Sequence, residues 1–149
     1  MPVSEMRGTS AIAIDDFNAL IREELPFAWE QGFRVERLDA GSAKVRLPID
    51  HAHLRPGGTV SGPAMMGLAD YTMYAVVLSR IGRQKMAVTT NLNANFLRRP
   101  PPRDLIAEGR LLKLGRRLAY GEVTIFSQGE DDPVCHVTST YSLPPRGEG

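Results

Sequence analysis

Ser61-Gly62-Pro63-Ala64-Met65-Met66-Gly67-Leu68-Ala69-Asp70-Tyr71-Thr72-Met73-Tyr74-Ala75-Val76-Val77-Leu78-Ser79 decides the fold. Ser61 is suited to cap a helix, and Pro63 falls in the first turn, where a missing N–H costs least. A helix of roughly five turns follows, closed by Gly82. Its faces are apolar nearly all round, the mark of a helix buried on every side rather than laid on a surface. The stretch reads poorly as a membrane span, because between Pro56 and Ser79 it holds four glycines and an aspartate.

Outward from this helix the pattern turns extended. Upstream, Arg34–Asp39 and Ala43–Ile49 flank Ala40-Gly41-Ser42, and Ala43, Val45, Leu47 and Ile49 alternate with Lys44, Arg46 and Pro48, which predicts a hairpin with one buried face. His51 to Thr59 reads as a Pro/Gly-rich loop. Further upstream, Phe17, Leu20 and Ile21 recur at helical spacing after an Asp15-Asp16 start signal, and Pro26 closes that helix. Downstream, Met86 to Phe96 alternates Met86, Val88, Thr90, Leu92, Ala94 and Phe96 against Ala87, Thr89, Asn91, Asn93 and Asn95. Leu105–Leu114 and Leu118–Ser127 meet at Gly115-Arg116-Arg117, and a last strand, Val134–Leu143, follows the turn Gly129 to Pro133. An antiparallel meander with one apolar helix is an α+β domain whose sheet curls around the helix. Residues 1–12 and 144–149 are expected to be frayed ends around a single domain, 13–143.

Composition narrows the function. The 149 residues carry a net charge of +1 and are 42% hydrophobic, which sets aside nucleic-acid binding by bulk charge and fits one soluble domain with no membrane span. The one cysteine, Cys135, falls in a strand interior and reads as an inert buried thiol. With no disulfide pair and no secretory signal, the expected location is cytoplasmic. His51 and His53 lack Cys or carboxylate neighbours at zinc spacing, and His136 lies in a strand, so no metal site is expected. There is no Gly-x-Ser-x-Gly elbow, phosphate-binding loop or dinucleotide fingerprint.

Asp70 is the chemical anomaly. Aspartate is a poor helix former, and a carboxylate among Met66, Leu68, Ala69 and Met73 costs several kcal/mol unless it is paired or its pKa rises. It reads either as a general base or nucleophile in a poorly solvated cleft, or as a structural group satisfying a buried partner. The glycine-rich approach Gly57-Gly58-Thr59-Val60-Ser61-Gly62 leads to a helix N-terminus whose unpaired N–H groups can stabilise an oxyanion. Gly62 and Asp70 are eight residues apart, roughly 12 Å along the axis, so one helix cannot bring both to one reacting bond. A shared site needs Gly62 of one chain against Asp70 of another, across a two-fold axis.

Gly58-Thr59-Val60-Ser61-Gly62, Leu68-Ala69-Asp70, Thr89-Thr90-Asn91-Leu92 and Asn95-Phe96-Leu97-Arg98 before a proline together resemble the phenylacetate-pathway (PaaI-like) branch of the hotdog acyl-CoA thioesterases, over residues 13 to 143. The resemblance implies a hotdog fold and hydrolysis of an acyl-CoA to free acid and CoA. Asp70 would activate water or attack the thioester, the Gly62 N–H would polarise the carbonyl, and Thr89 would position water. CoA, itself part of the substrate, would lie across the interface of a homodimer, or of a dimer of dimers, with no other cofactor.

Two positions depart from that pattern. The family's His-Gly-Gly is Ser61-Gly62-Pro63 here, and its upstream Asn is Arg55. Ser61 can donate to the carbonyl or sulfur, and Arg55 can meet a substrate carboxylate or phosphate. Gly58 and Asn91 are further substrate-binding candidates, as are Met66, Met73 and Tyr74, whose packing would set pocket depth. Arg98 and Arg99, or Arg116 and Arg117, are candidates for the CoA phosphates, although strand ends and turns are commonly basic. The departures leave a second reading open, a non-catalytic dimer that binds acyl-CoA or a related ligand.

Overall fold

The structure, a computed structural model, describes residues 8–145. Helix α1 (Ile14–Glu24) and the short α2 (Pro26–Glu30) precede a hairpin of β1 (Arg34–Asp39) and β2 (Ser42–Leu47). The long α3 (Gly62–Ile81) follows, and then β3 (Val88–Phe96), β4 (Leu105–Leu114), β5 (Leu118–Ser127) and β6 (Pro133–Ser142). All six strands form one antiparallel sheet in the order β1-β2-β4-β5-β6-β3, curled around α3. β1 and β3 are therefore the edges.

The inward rows of β2, β4, β5 and β6 meet α3 through Val45, Leu47, Ala107, Leu111, Val123, Ile125 and Val137, all fully buried. From Tyr71 to Ser79 every residue of α3 is buried, but the first half is open on one side: Met66 is 40% exposed and Asp70 only half-buried. The expectation of burial on every side thus holds for the second half alone. Two glycines let the helix lie close to the sheet. A Cβ at Gly109 would come within 2.8 Å of a Thr72 methyl, and one at Gly121 within 2.6 Å of the Arg110 carbonyl oxygen and 2.7 Å of the Met73 terminal methyl. Cys135 is buried in β6, and burial pushes its thiol up to about 11.

Other expectations change. Asp15 and Asp16 do not cap α1, whose N-cap is Ala13, with no side-chain capping bond; they occupy the first turn, where they complement the helix dipole. Pro26 ends α1 but also starts α2 as its first residue, a second helix that the sequence pattern does not announce. His51–His53 forms a 3₁₀ turn inside the expected loop. Residues 8–12, expected to fray, are tied down: Thr9 bridges Asp39, the Ala11 N–H donates to the Ser79 carbonyl at 2.7 Å, and Ile12 is buried. Residues 1–7 and 146–149 lie outside the described residues. Among the described residues no helix is long and apolar enough to cross a membrane.

Candidate functional site

Asp70 faces the N-terminal end of β3 and the C-terminal end of β6. Its Oδ1 accepts the Thr89 hydroxyl at 2.7 Å and the Tyr141 phenol at 2.9 Å, and Tyr141 also lies 3.1 Å from the Asp70 carbonyl. Among the described residues no hydrogen bond reaches Oδ2. The desolvation problem posed by a carboxylate on this helix is thus met by two neutral donors on one oxygen, each such bond to a charged group contributing about 1.5–3 kcal/mol. Tyr141 is 2% exposed, and burial first, then the neighbouring Asp70 charge, hold its phenol far above the ordinary range, so it is a permanent donor at Asp70.

A bulge aims Thr89. Strict alternation would put Thr89 on the outer face with Asn91, Asn93 and Asn95. The β3–β6 register slips between Thr89 and Asn91, so Thr89 pairs with Tyr141 on the inner face while Asn91, Asn93 and Asn95 pair with Thr140, Thr138 and His136 on the outer one. Thr90 is the extra residue. Without it the hydroxyl would point away from the helix.

The other end of the site is the N-terminus of α3. Ser61 caps it, its Oγ accepting the Ala64 N–H at 3.2 Å. The preceding loop doubles back: Leu54 bridges Val60, the Arg55 N–H donates to Thr59, and the Ser61 N–H donates to the His53 carbonyl at 2.9 Å. Gly57 and Gly58 turn it with φ of +99° and +76°, which side-chain-bearing residues rarely adopt. Gly62 lies against the Phe96 ring, 3.4 Å from where a Cβ would stand. The first turn of α3 thus packs at the far end of β3 from Thr89, and the roughly 12 Å helical separation of Gly62 and Asp70 is preserved.

A cleft of about 630 Å³ runs between α3 and the pair α1–α2. Ser61, Ala64, Gly67, Asp70, Tyr71 and Tyr74 supply its wall from α3, and Thr89 and Tyr141 supply it from the sheet. Leu25, Phe27, Ala28, Phe33 and Leu47 make the opposite side apolar. Lys85 is at its rim, in a 3.4 Å ion pair with Glu24.

The structure brings together Asp70, Thr89, Ser61 and Tyr74 along this cleft, and leaves other expected contacts outside it. Met73 is fully buried against Gly121 under the sheet, so it is core rather than pocket wall. Asn91 is on the outer sheet face, and Met66, Arg55 and Gly58 are exposed outside the cleft. Arg98 is ion-paired with Asp132 and Glu130 at one end of the sheet, beside the exposed Arg99, while Arg116 and Arg117 occupy the β4–β5 turn at the other end. The two basic clusters therefore do not serve one ligand on one chain. Tyr141, His53 and Lys85 join the cleft without having been expected there. Tyr141 follows the inward β6 row Val137, Ser139, Tyr141, but only the register shows that it meets Asp70.

Comparison with known proteins agrees with this architecture. Residues 57–134 match the family model of the thioesterase superfamily. An assigned thioesterase of Silicibacter sp. TM1040 is 45% identical, with a TM-score of 0.83 over 91% of this chain and 94% of that one. A mutant of the phenylacetic acid degradation protein PaaI from Thermus thermophilus is 26% identical, with a TM-score of 0.71 over 80% of this chain and 99% of its own. An assigned esterase of Saccharolobus solfataricus is 25% identical over 116 residues, 77% of this chain and 75% of the relative. With its six-stranded sheet wrapped around α3, this chain belongs to the hotdog-fold thioesterase superfamily of thioester hydrolases.

Proposed function

We propose that the chain is an acyl-CoA thioesterase whose reacting carboxylate is Asp70. The observation that carries this reading is the asymmetry of that carboxylate: Oδ1 is held by Thr89 and Tyr141, while Oδ2 is free on the wall of the cleft. In the water route Oδ2 takes a proton from water as the oxygen bonds to the thioester carbon. The C–S bond then breaks, and the departing thiolate takes the proton, giving free acid and CoA. In the alternative route Oδ2 itself attacks the thioester carbon and the C–S bond breaks to release the thiolate. Water then hydrolyses the acyl-aspartyl anhydride, restoring the carboxylate, giving the free acid and supplying the proton that the thiolate takes up. Thr89 acts in both by fixing the carboxylate, and its oxygen can still accept a hydrogen bond from water. The apolar side of the cleft fits an uncharged acyl group, and Lys85 at the rim favours an anionic neighbour such as a CoA phosphate.

A reacting thioester carbon has to lie within roughly 3 Å of both the attacking oxygen and the oxyanion donors, which a separation of about 12 Å on one helix forbids. The sheet offers the remedy. Among the described residues β3 is an unpaired edge with exposed Val88 and Phe96 at its two ends, Phe96 over Gly62 and Thr89 at Asp70. Antiparallel pairing of two such edges about a two-fold axis puts the Gly62 end of each chain beside the Asp70 end of the other. Ser61 and Arg55, where relatives of the PaaI type have His and Asn, favour a second reading, a dimer that binds the ester without turning it over. A panel of short, long and aromatic acyl-CoA esters with a thiol-trapping readout decides between them: thiol release supports hydrolysis, and binding without release supports the second.

Tyr141→Phe removes one of the two donors from Oδ1 and leaves the packing. The expected result is about a tenfold loss in kcat with KM little changed, from an aspartate less firmly held, since hydrogen bonds to charged groups are worth about 1.5–3 kcal/mol. Steady-state kinetics on the best ester of the panel measures it.

A further inference from the structure

His53 has no part in the mechanism above, yet it is a nearly buried polar side chain, 8% exposed, on the wall of the cleft that holds Ser61 and Asp70. Its ring is oriented by the backbone. Nδ1 accepts the Asp50 N–H at 3.0 Å, and the Asp50 carboxylate in turn caps the Ala52 N–H at 2.8 Å, so both ends of the 3₁₀ turn are fixed. A ring nitrogen that accepts from a backbone N–H carries no proton of its own. The neutral imidazole therefore bears its proton on Nε2. Among the described residues that Nε2–H donates to nothing, and it is not among the sealed buried atoms, so it keeps accessible surface. An oriented donor without a protein partner, on the wall of a cleft, is arranged for a ligand acceptor.

Its place along the cleft says which acceptor. The Ser61 N–H is bonded to the His53 carbonyl and Leu54 bridges Val60, which clamps His53 beside the residue that precedes Gly62. Two donors thus lie at the N-terminal end of α3: the backbone N–H of Gly62, which as the first helical residue has no partner within the helix, and the imidazole Nε2–H of His53, on the cleft wall beside Ser61, Pro63 and Ala64. We infer that the Nε2–H of His53 donates to the carbonyl oxygen of the thioester and, with the Gly62 N–H, forms a two-donor oxyanion site. The proton stays on Nε2 throughout, and the bond strengthens as negative charge develops on the oxygen. This rests on the thioesterase reading above, and supplies a donor from the 3₁₀ turn where Ser61 stands in place of a histidine.

Two substitutions separate a donor from a merely structural residue, because they act in opposite directions. In His53→Asn the side-chain oxygen replaces Nδ1 as acceptor for the Asp50 N–H, so the turn is kept and the Nε2–H is lost. In His53→Gln the amide N–H stands near the former Nε2–H, but the Asp50 bond is lost. With the best acyl-CoA ester of the panel, His53→Asn is expected to retain the wild-type Tm and lose about 10²-fold in kcat with KM little changed. His53→Gln is expected to lower Tm yet keep kcat within about tenfold of wild type. Wild-type kcat in His53→Asn, a loss confined to KM, or a kcat in His53→Gln no better than in His53→Asn overturns the assignment. If wild-type protein hydrolyses the ester and depends on Asp70 but His53→Asn is silent, only His53 loses its role; if wild-type protein releases no thiol, both readings fall.

Discussion

Asp70→Asn is expected to lower acyl-CoA turnover by about 10³-fold, the range of a positioned general base, with native mass in solution and native Tm. Asparagine has nearly the same volume, and its carbonyl oxygen can still accept from Thr89 and Tyr141, so the helix and the bulge that face it are retained. What it lacks is an oxygen that can take a proton from water or attack the thioester. Wild-type turnover in this variant would remove Asp70 from the chemistry. The same variant tests the shared site. Gly62→Pro deletes the N–H at the first position of α3, where proline is well tolerated and where Ser61, at ψ 153°, already has the extended conformation that proline requires before it. The added ring meets Phe96, 3.4 Å from the new Cβ, so native mass and Tm are checked alongside activity. Each variant alone is inactive if both groups act. Co-refolded in equal amounts, they form mixed dimers in which one of the two sites is intact, restoring about a quarter of wild-type activity. No restoration would place both groups on one chain.

Gly121→Ala is expected to be among the most destabilising single-methyl changes in the chain. The added carbon would stand 2.6 Å from the Arg110 carbonyl oxygen, a backbone atom of the paired strand that cannot rotate away, and 2.7 Å from the Met73 methyl. The β4–β5 register slips between Leu111 and Lys113, directly beside the Leu111–Gly121 pair, so there is no regular ladder to absorb the shift. Overpacking of this kind costs about 1–3 kcal/mol, and more where backbone must move. At about 3 kcal/mol and 2–4 °C per kcal/mol for a domain of this size, Tm would fall by roughly 6–12 °C in a calorimetric scan. An unchanged Tm would mean that helix and sheet are less closely apposed than the structure has them. The effect reaches the site as well, because Met73 is one turn from Asp70 on α3 and the height of that helix above the sheet sets the reach of Tyr141.

The parts of the fold legible in the sequence are those decided by local period. β2 reads from Ala43, Val45 and Leu47, and α3 from its cap at Ser61 to its end at Gly82. What the sequence hides is non-local or one residue wide. Met73 and Tyr74 are both apolar positions of one helix, and periodicity does not say that the first goes under the sheet while the second reaches the cleft. Thr89 sits on the wrong face by strict alternation, and only pairing with β6 reveals the extra residue at Thr90. Tyr141 is seventy-one residues from Asp70, so their hydrogen bond has no local signature. His53 has meaning in the sequence only as a metal ligand, whereas its role depends on the Asp50 N–H that turns its ring. Pro26 reads as a stop because that is its commoner meaning inside a helical pattern, but its fixed φ also suits the first residue of α2.

The chain has one sulfhydryl, that of Cys135, and β6 keeps it from solvent with its ionisation pushed up to about 11. The thiolate is the reactive form, so at neutral pH the folded protein offers almost nothing to a disulfide reagent. The enzyme is therefore silent in a thiol-trapping assay, and any colour that grows while the fold is intact reports thiol set free from the thioester. A slow background that appears on warming would be the protein itself opening.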